Sequence, residues 1–254
     1  MKAIILAICT FFVLGTYAQT AQEIVKKSND AVDVGDMEMT SGIFIYDAKG
    51  NLRTRQISTA SKKFADCNKM LIRFLAPADV KGTSLLVYDY DNQSDNQWIY
   101  MPALRKVRRI LSAEKGKNFM GSEFTNADMG KPNLQDYVYV SLGSTELEGK
   151  RCWKIEAKCK NEIIQQENGF SRKVMYIDQN NYLTHKVEYY DLSGQLQRVL
   201  LNSAYKKLSG SSYFAFHMVM ENMQNGRKSE MKVDKFQNGS KLSENVFSPN
   251  VLDK

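Results

Sequence analysis

The sequence has few of the side chains that most enzymes rely on. It holds only two histidines, His185 and His217, in 254 residues. Both fall inside strand-like stretches, and no GxSxG nucleophile motif accompanies them, so a histidine-based hydrolase has no support. HExxH, CxxC and Walker-type glycine loops are also missing, which removes the usual signatures of hydrolytic zinc, thiol redox and nucleotide phosphate sites. No metal, cofactor or catalytic residue is expected. Glu123 and Asp128 could form a carboxylate pair, but acidic residues close in sequence more often cap turns or face solvent. No low-complexity linker, tandem repeat or break in composition marks a second domain.

Long apolar runs are absent beyond the first residues. MKAIILAICTFFVLGTYA has a short basic head at Lys2, an apolar stretch from Ala3 to Leu14 and Thr16-Tyr17-Ala18 before Gln19, the pattern of a secretory signal cut after Ala18. The stretch is shorter than the roughly 20 residues that span a bilayer. Cys9 is a poor lipidation site, because Ile8 stands where a small residue is needed. The expectation is therefore an exported, periplasmic protein with residues 19–254 as one domain. Removing 18 residues leaves 236, with 34 basic against 28 acidic side chains and a net charge of +6. That balance suits acidic partners or peripheral contact with an anionic membrane surface. An exported protein rarely meets nucleic acid, so none is expected as a partner.

Cys67, Cys152 and Cys159 remain after cleavage. In CWKIEAKC the outer cysteines are seven positions apart, about 23 Å along a straight strand and on opposite faces, too far to pair. The expectation is a buried, reduced Cys159. Export would also permit a bridge from Cys67 to one of the other two, and an odd count leaves at least one thiol free per monomer.

What the sequence does have is alternation. AQEIVKKSNDAVD spaces Ile24, Val25, Ala31 and Val32 at helical intervals, predicting an N-terminal amphipathic helix. Beyond it the period becomes two, as in Trp153, Ile155 and Ala157 against Lys154, Glu156 and Lys158. Turn signals such as DAKGN, EGK, DQNN, DLSG and QNGR separate stretches including SGIFIYD, MLIRFLA, TSLLVYDY, RKVMYID and YFAFHMVMEN. This is the pattern of an antiparallel meander or barrel, apolar on one face and wet on the other. Phe214, Phe216, Met218 and Met220 share one face and could fill a core or line a cavity, and methionine suits a wall that must fit variable apolar ligands. An integral outer-membrane barrel would show the same period, but the N-terminal helix, the many strand lysines and the polar LDK end argue against it.

The exception is SAEKGKNFMGSEFTNADMGKPNLQD, residues 112–136, which has no strand period. Phe119, Met120, Phe124 and Met129 need shelter there, so the segment is expected to be a movable lid across the mouth of the sheet.

Residues 70–130 resemble a known family. They carry Phe74 and Pro77, then Lys81-Gly82-Thr83, then Trp98, Tyr100 and Pro102 with Arg105 and Arg108. Phe119, Gly121-Ser122-Glu123-Phe124 and Asp128 complete the series. This resembles the outer-membrane lipoprotein-sorting family of LolA-like periplasmic carriers, in the branch found with RND or MMPL-type transporters, although Glu123 stands where that branch more often has Asp. The resemblance implies an all-β fold with minor α, a bent, unclosed antiparallel barrel with an N-terminal helix. It implies a non-enzymatic carrier or accessory protein, a monomer, that binds a lipid or lipoprotein acyl chains and exchanges them with an envelope transporter or the outer membrane. The alternative is an interaction or sensor module with a filled core.

The expected cavity or lid residues are Trp98, Tyr100, Phe119, Phe124, Met129, Phe214, Phe216 and Met218. Arg105 and Arg108 are expected to act electrostatically, with Arg108 pairing to Glu123 or Asp128 near the mouth.

Overall fold

The computed structural model describes residues 19–90, 93–208 and 212–253. The signal-like segment and Cys9 lie outside the described residues.

Helix α1 (Ala21–Ala31) forms where the periodicity predicts it. Thr20 closes its first turn: the Thr20 hydroxyl accepts from the Glu23 amide at 3.2 Å and the Glu23 carboxylate accepts from the Thr20 amide at 2.9 Å. This reciprocal cap satisfies two amides that the helix cannot. Ile24 and Val25 are buried in the main core, and the Ser28 hydroxyl lies 2.8 Å from that of Thr184.

The other described residues build one antiparallel sheet of thirteen strands. The first meander comprises β1 (Met37–Tyr46), β2 (Leu52–Lys63), β3 (Asn68–Ala76), β4 (Ser84–Asp89), β5 (Asn96–Met101) and β6 (Lys106–Ile110). The second comprises β7 (Tyr137–Leu147), β8 (Lys150–Cys159), β9 (Arg172–Asp178), β10 (Thr184–Tyr190), β11 (Leu196–Lys207), β12 (Tyr213–Asn222) and β13 (Lys228–Asn238). Two short helices, α2 (Ser112–Lys115) and α3 (Glu162–Asn168), precede β7 and β9. The predicted turns all fall between strands, and the glycines at 50, 149, 194 and 226 take the positive φ that such turns need.

The strand order is β6-β5-β4-β3-β2-β1-β13-β12-β11-β10-β9-β8-β7. The two meanders join through β1 and β13, with Ile43 opposite Met231 and Tyr46 opposite Lys228. Strands β6 and β7 are consecutive in sequence yet are the two outer edges, and they do not pair. The barrel is therefore unclosed, and residues 111–136 run through its open seam.

The inner face carries the main core, including Ile43, Ile57, Phe74, Leu85, Ile155, Ile177 and Met220. The outer face is not uniformly wet as the alternation suggested. The C-terminal segment lays Phe247 and Leu252 over Ala60, Leu71 and Leu86, and the Tyr88 hydroxyl donates to the Phe247 carbonyl at 2.7 Å. Cys67, Cys152 and Cys159 are free and buried, and burial pushes the Cys159 thiol up to about 11.

Candidate functional site

A cavity of about 320 Å³ opens on the concave side of the sheet. Its apolar wall comes from the central strands. Met37 and Met39 of β1, Met70 of β3, Met218 and Met220 of β12 and Met231 of β13 all line it, and Met129 adds a seventh methionine from the seam. Seven of the twelve methionines in the sequence therefore meet at one surface. Unbranched thioethers can repack around ligands of different shape, which a wall of Ile and Val cannot do as readily. The remaining side is more polar and is built at the seam from Asp95, Lys115, Lys131, Asp136 and Glu167, with Lys173 of β9 beside them.

Of the residues the sequence singled out, Phe124, Asp128, Met129, Phe214 and Met218 line this cavity. Phe216 lies next to it, on the same face of β12, with its ring 6.1 Å from that of Phe214 and 5.7 Å from that of Phe236.

Trp98 and Tyr100 do not reach the cavity. On β5 it is Gln97 and Ile99 that point inward, so the intervening aromatics face out and pack with Tyr88 beneath the C-terminal segment. Trp98 and Tyr88 meet edge to face, with centroids 4.9 Å apart. Phe119 is not on the cavity surface either. It is 1 % exposed and packs its ring 5.6 Å from Phe74 in the main core.

The segment expected to be a loose lid is tied into the sheet at its centre. Met120 and Gly121, both at positive φ, turn the chain back so that the Phe119 amide donates to the Phe124 carbonyl at 2.7 Å. The Glu123 carboxylate is 1 % exposed, pairs with Arg227 at 2.8 Å and accepts from the Asn222 amide at 2.8 Å. The Glu123 amide donates to the Ser229 hydroxyl at 2.9 Å. Arg198 of β11 donates to the Asp128 carboxylate at 2.7 Å and to the Glu123 carbonyl at 3.1 Å. Residues 119–128 thus form a plug in the seam that shows Phe124, Ala127 and Asp128 to the cavity, and the stretch from Met129 to Asn133 continues the cavity wall.

The pairing expected for Arg108 is replaced by another. Arg108 pairs with Glu114 at 2.8 Å, a local contact across the turn into α2. Glu123 and Asp128 are too deep for an exposed β6 cation to reach and are met from below by Arg227 and Arg198. Arg105 sits exposed at φ 47° in the β5–β6 turn, and Arg109 bonds to Asn96.

Two cavity residues that the sequence reading passed over carry unusual electrostatics. The Asp95 carboxyl is pushed up to about 7, chiefly by burial and then by the neighbouring Asp89. Lys173 is 8 % exposed, and burial pulls its ammonium down to about 8. A signal for Lys173 was present, because RKVMYID places it on the same face as Met175 and Ile177, both core residues. Arg198 shares its face with Leu200 in the same way.

The fold recurs in solved proteins. An outer membrane lipoprotein-sorting protein domain from Vibrio parahaemolyticus superposes with a TM-score of 0.85 at 30% identity, over 92% of this chain and 98% of that one. The chain belongs to the outer membrane lipoprotein-sorting family. A family model described only as an uncharacterized protein matches residues 66–254 of this lipoprotein-sorting homologue. A DUF1329 family protein from Desulfovibrio piger aligns at 26% identity and a TM-score of 0.84, over 91% of this chain and 97% of its own. A LolA superfamily protein from Nitrosomonas europaea shares the fold at 17% identity and a TM-score of 0.72, over 91% and 98% of the two chains. No curated protein matches the sequence. The fold is thus shared by a lipoprotein-sorting domain, a DUF1329 family protein and a LolA superfamily protein.

Proposed function

We propose that this lipoprotein-sorting family member is a periplasmic carrier that shelters a lipid or the acyl part of a lipidated substrate in its concave cavity. It exchanges that cargo with an envelope transporter of the RND or MMPL type, or with the outer membrane, and performs no covalent chemistry. The observation that carries this reading is the methionine-lined cavity itself, open at the seam.

The energetics suit the task. An acyl chain crossing an aqueous compartment gains about 0.8 kcal/mol per methylene removed from water, so about ten methylenes gain roughly 8 kcal/mol before the cost of immobilising the chain. A wall that adapts to the chain and a mouth that stays open allow both capture and release. A binding pocket of about 320 Å³ lies at the small end of the usual range for ligand sites. This favours one chain or a small amphiphile over a bulky multi-chain lipid held entirely inside.

The test is native mass spectrometry of protein purified from its own envelope without detergent, followed by lipid extraction. Stoichiometric lipid is expected, and Met218→Trp, which fills the cavity from β12, should lower the occupancy. Protein that is empty in repeated preparations and takes up no added lipid would favour a sensor module built on the same fold.

A further inference from the structure

Lys173 has no role in the packing of a purely apolar carrier. It projects from β9 on the inner face and is 8 % exposed, yet among the described residues it forms no ion pair. Its ammonium lies 4.9 Å from the Tyr137 ring centre and 5.7 Å from that of Phe170, so two aromatic faces are its immediate company. The carboxylate whose charge acts on it is Asp128, and that group is already committed to Arg198 at 2.7 Å. A buried cation is costly unless something compensates it, and aromatic faces compensate only in part.

The other buried lysine of the cavity is different. Lys115 on α2 is 7 % exposed, and its charge acts on both Asp95 and Asp136. It therefore balances carboxylates of the seam, whereas the carboxylate that acts on Lys173 is the one bonded to Arg198. Both residues line the same space as the methionine wall.

Resting on the carrier reading above, we infer that the cargo is an amphiphile with one anionic headgroup, a carboxylate or a phosphate, whose charge is received by Lys173 while its chain lies along the methionines. The chemistry fits each part of the site. An ammonium offers three donors to an anionic oxygen, and a hydrogen bond to a charged group in a buried site is stronger than one between neutral groups. Tyr137 and Phe170 close the apolar side of the ammonium and hold it toward the cavity. A neutral acyl ester would leave Lys173 buried and uncompensated, so the site selects against it.

The experiment is calorimetric titration of the detergent-free protein with dodecanoate, dodecyl phosphate and dodecanol, which share a chain and differ in headgroup. Either anion should bind about tenfold or more tightly than the alcohol, the ratio that one buried charge-assisted bond supplies. Whichever anion is preferred identifies the headgroup as carboxylate or phosphate. Lys173→Gln should abolish the preference by weakening both anions about tenfold or more, while dodecanol binds at least as tightly as before, because the chain contacts remain and no buried charge is left uncompensated. Lys173→Arg should keep the preference. A matching thermal melt for both variants shows that the fold is retained. Equal binding of alcohol and anions by the unaltered protein, or a preference that survives Lys173→Gln, overturns the headgroup inference and leaves the carrier reading standing. Failure of all three ligands to bind overturns both.

Discussion

Arg198 and Asp128 form one of two ion pairs that fasten the seam plug to the second meander, the other being Arg227 with Glu123. The guanidinium stands on β11 with its side chain 5 % exposed, and it donates at 2.7 Å to a carboxylate whose side chain is 16 % exposed. The same Asp128 oxygen accepts from the Thr125 amide at 2.7 Å, so one carboxylate fixes both the local turn and its attachment to the sheet.

Breaking this pair from one side should be severe. Asp128→Asn or Arg198→Met leaves a buried charge or its hydrogen-bond partners uncompensated, at a cost of about 3 to 5 kcal/mol. Replacing both by apolar residues should cost less than the sum of the two single changes, because no orphan charge remains. Urea unfolding midpoints of the two single variants and the double variant check this. Strictly additive losses would show that the two residues stabilise the fold independently.

The plug should behave as part of the core. Phe119→Ala removes a ring packed against Phe74 and should cost about 3 to 5 kcal/mol in unfolding free energy, as for other large core aromatics. Hydrogen exchange should find the amides of Phe119 and Glu123 protected as strongly as those of the central strands. Residues 130–136, which border the mouth, should open more easily. Rapid exchange through Phe119 and Glu123 would restore the picture of a lid hinged along its whole length.

Asp95 gives stability a pH dependence whose sign follows from its raised value. Its folded carboxyl titrates near 7 whereas an unfolded aspartate titrates near about 4. Between those values the folded state holds the extra proton, so the contribution is full below about pH 4 and is lost as pH rises through about 7. Asp95→Asn should therefore flatten the stability profile across that window and raise stability most on its alkaline side. Thermal melts at half-unit pH steps for the native protein and the variant provide the comparison. Parallel profiles would exclude Asp95 as the source.

Much of the fold can be read from alternation, because each strand has one face that must be sheltered. The helix at Ala21, the turns and the cavity positions Phe214 and Met218 follow from period and parity alone. The errors have physical causes. Both faces of β5 are apolar in part, and nothing in WIYMPALRK reveals that residues near Phe247 fold back over Trp98 and Tyr100. The partners of Glu123 and Asp128 come from β11 and the β12–β13 turn, roughly seventy to a hundred positions away, beyond the reach of local pattern. Lys173 and Arg198 were legible as charges on apolar faces, but a strand rich in lysine makes any one of them easy to treat as solvated.

The joining of β1 to β13 governs how the chain can be made. Strand β1 lies mid-sheet, and one of its edges is satisfied only by the last strand of the sheet in chain order. The first six strands therefore emerge with that edge bare, and the closing contact, Ile43 with Met231, spans nearly the whole domain. Contacts of such long range form slowly and leave unpaired edges exposed to other chains meanwhile. A polypeptide with this topology gains from being held unfolded until synthesis is complete, which is the state in which chains are threaded through a membrane pore. The awkward central pairing would thus matter little to a protein that folds only on the far side.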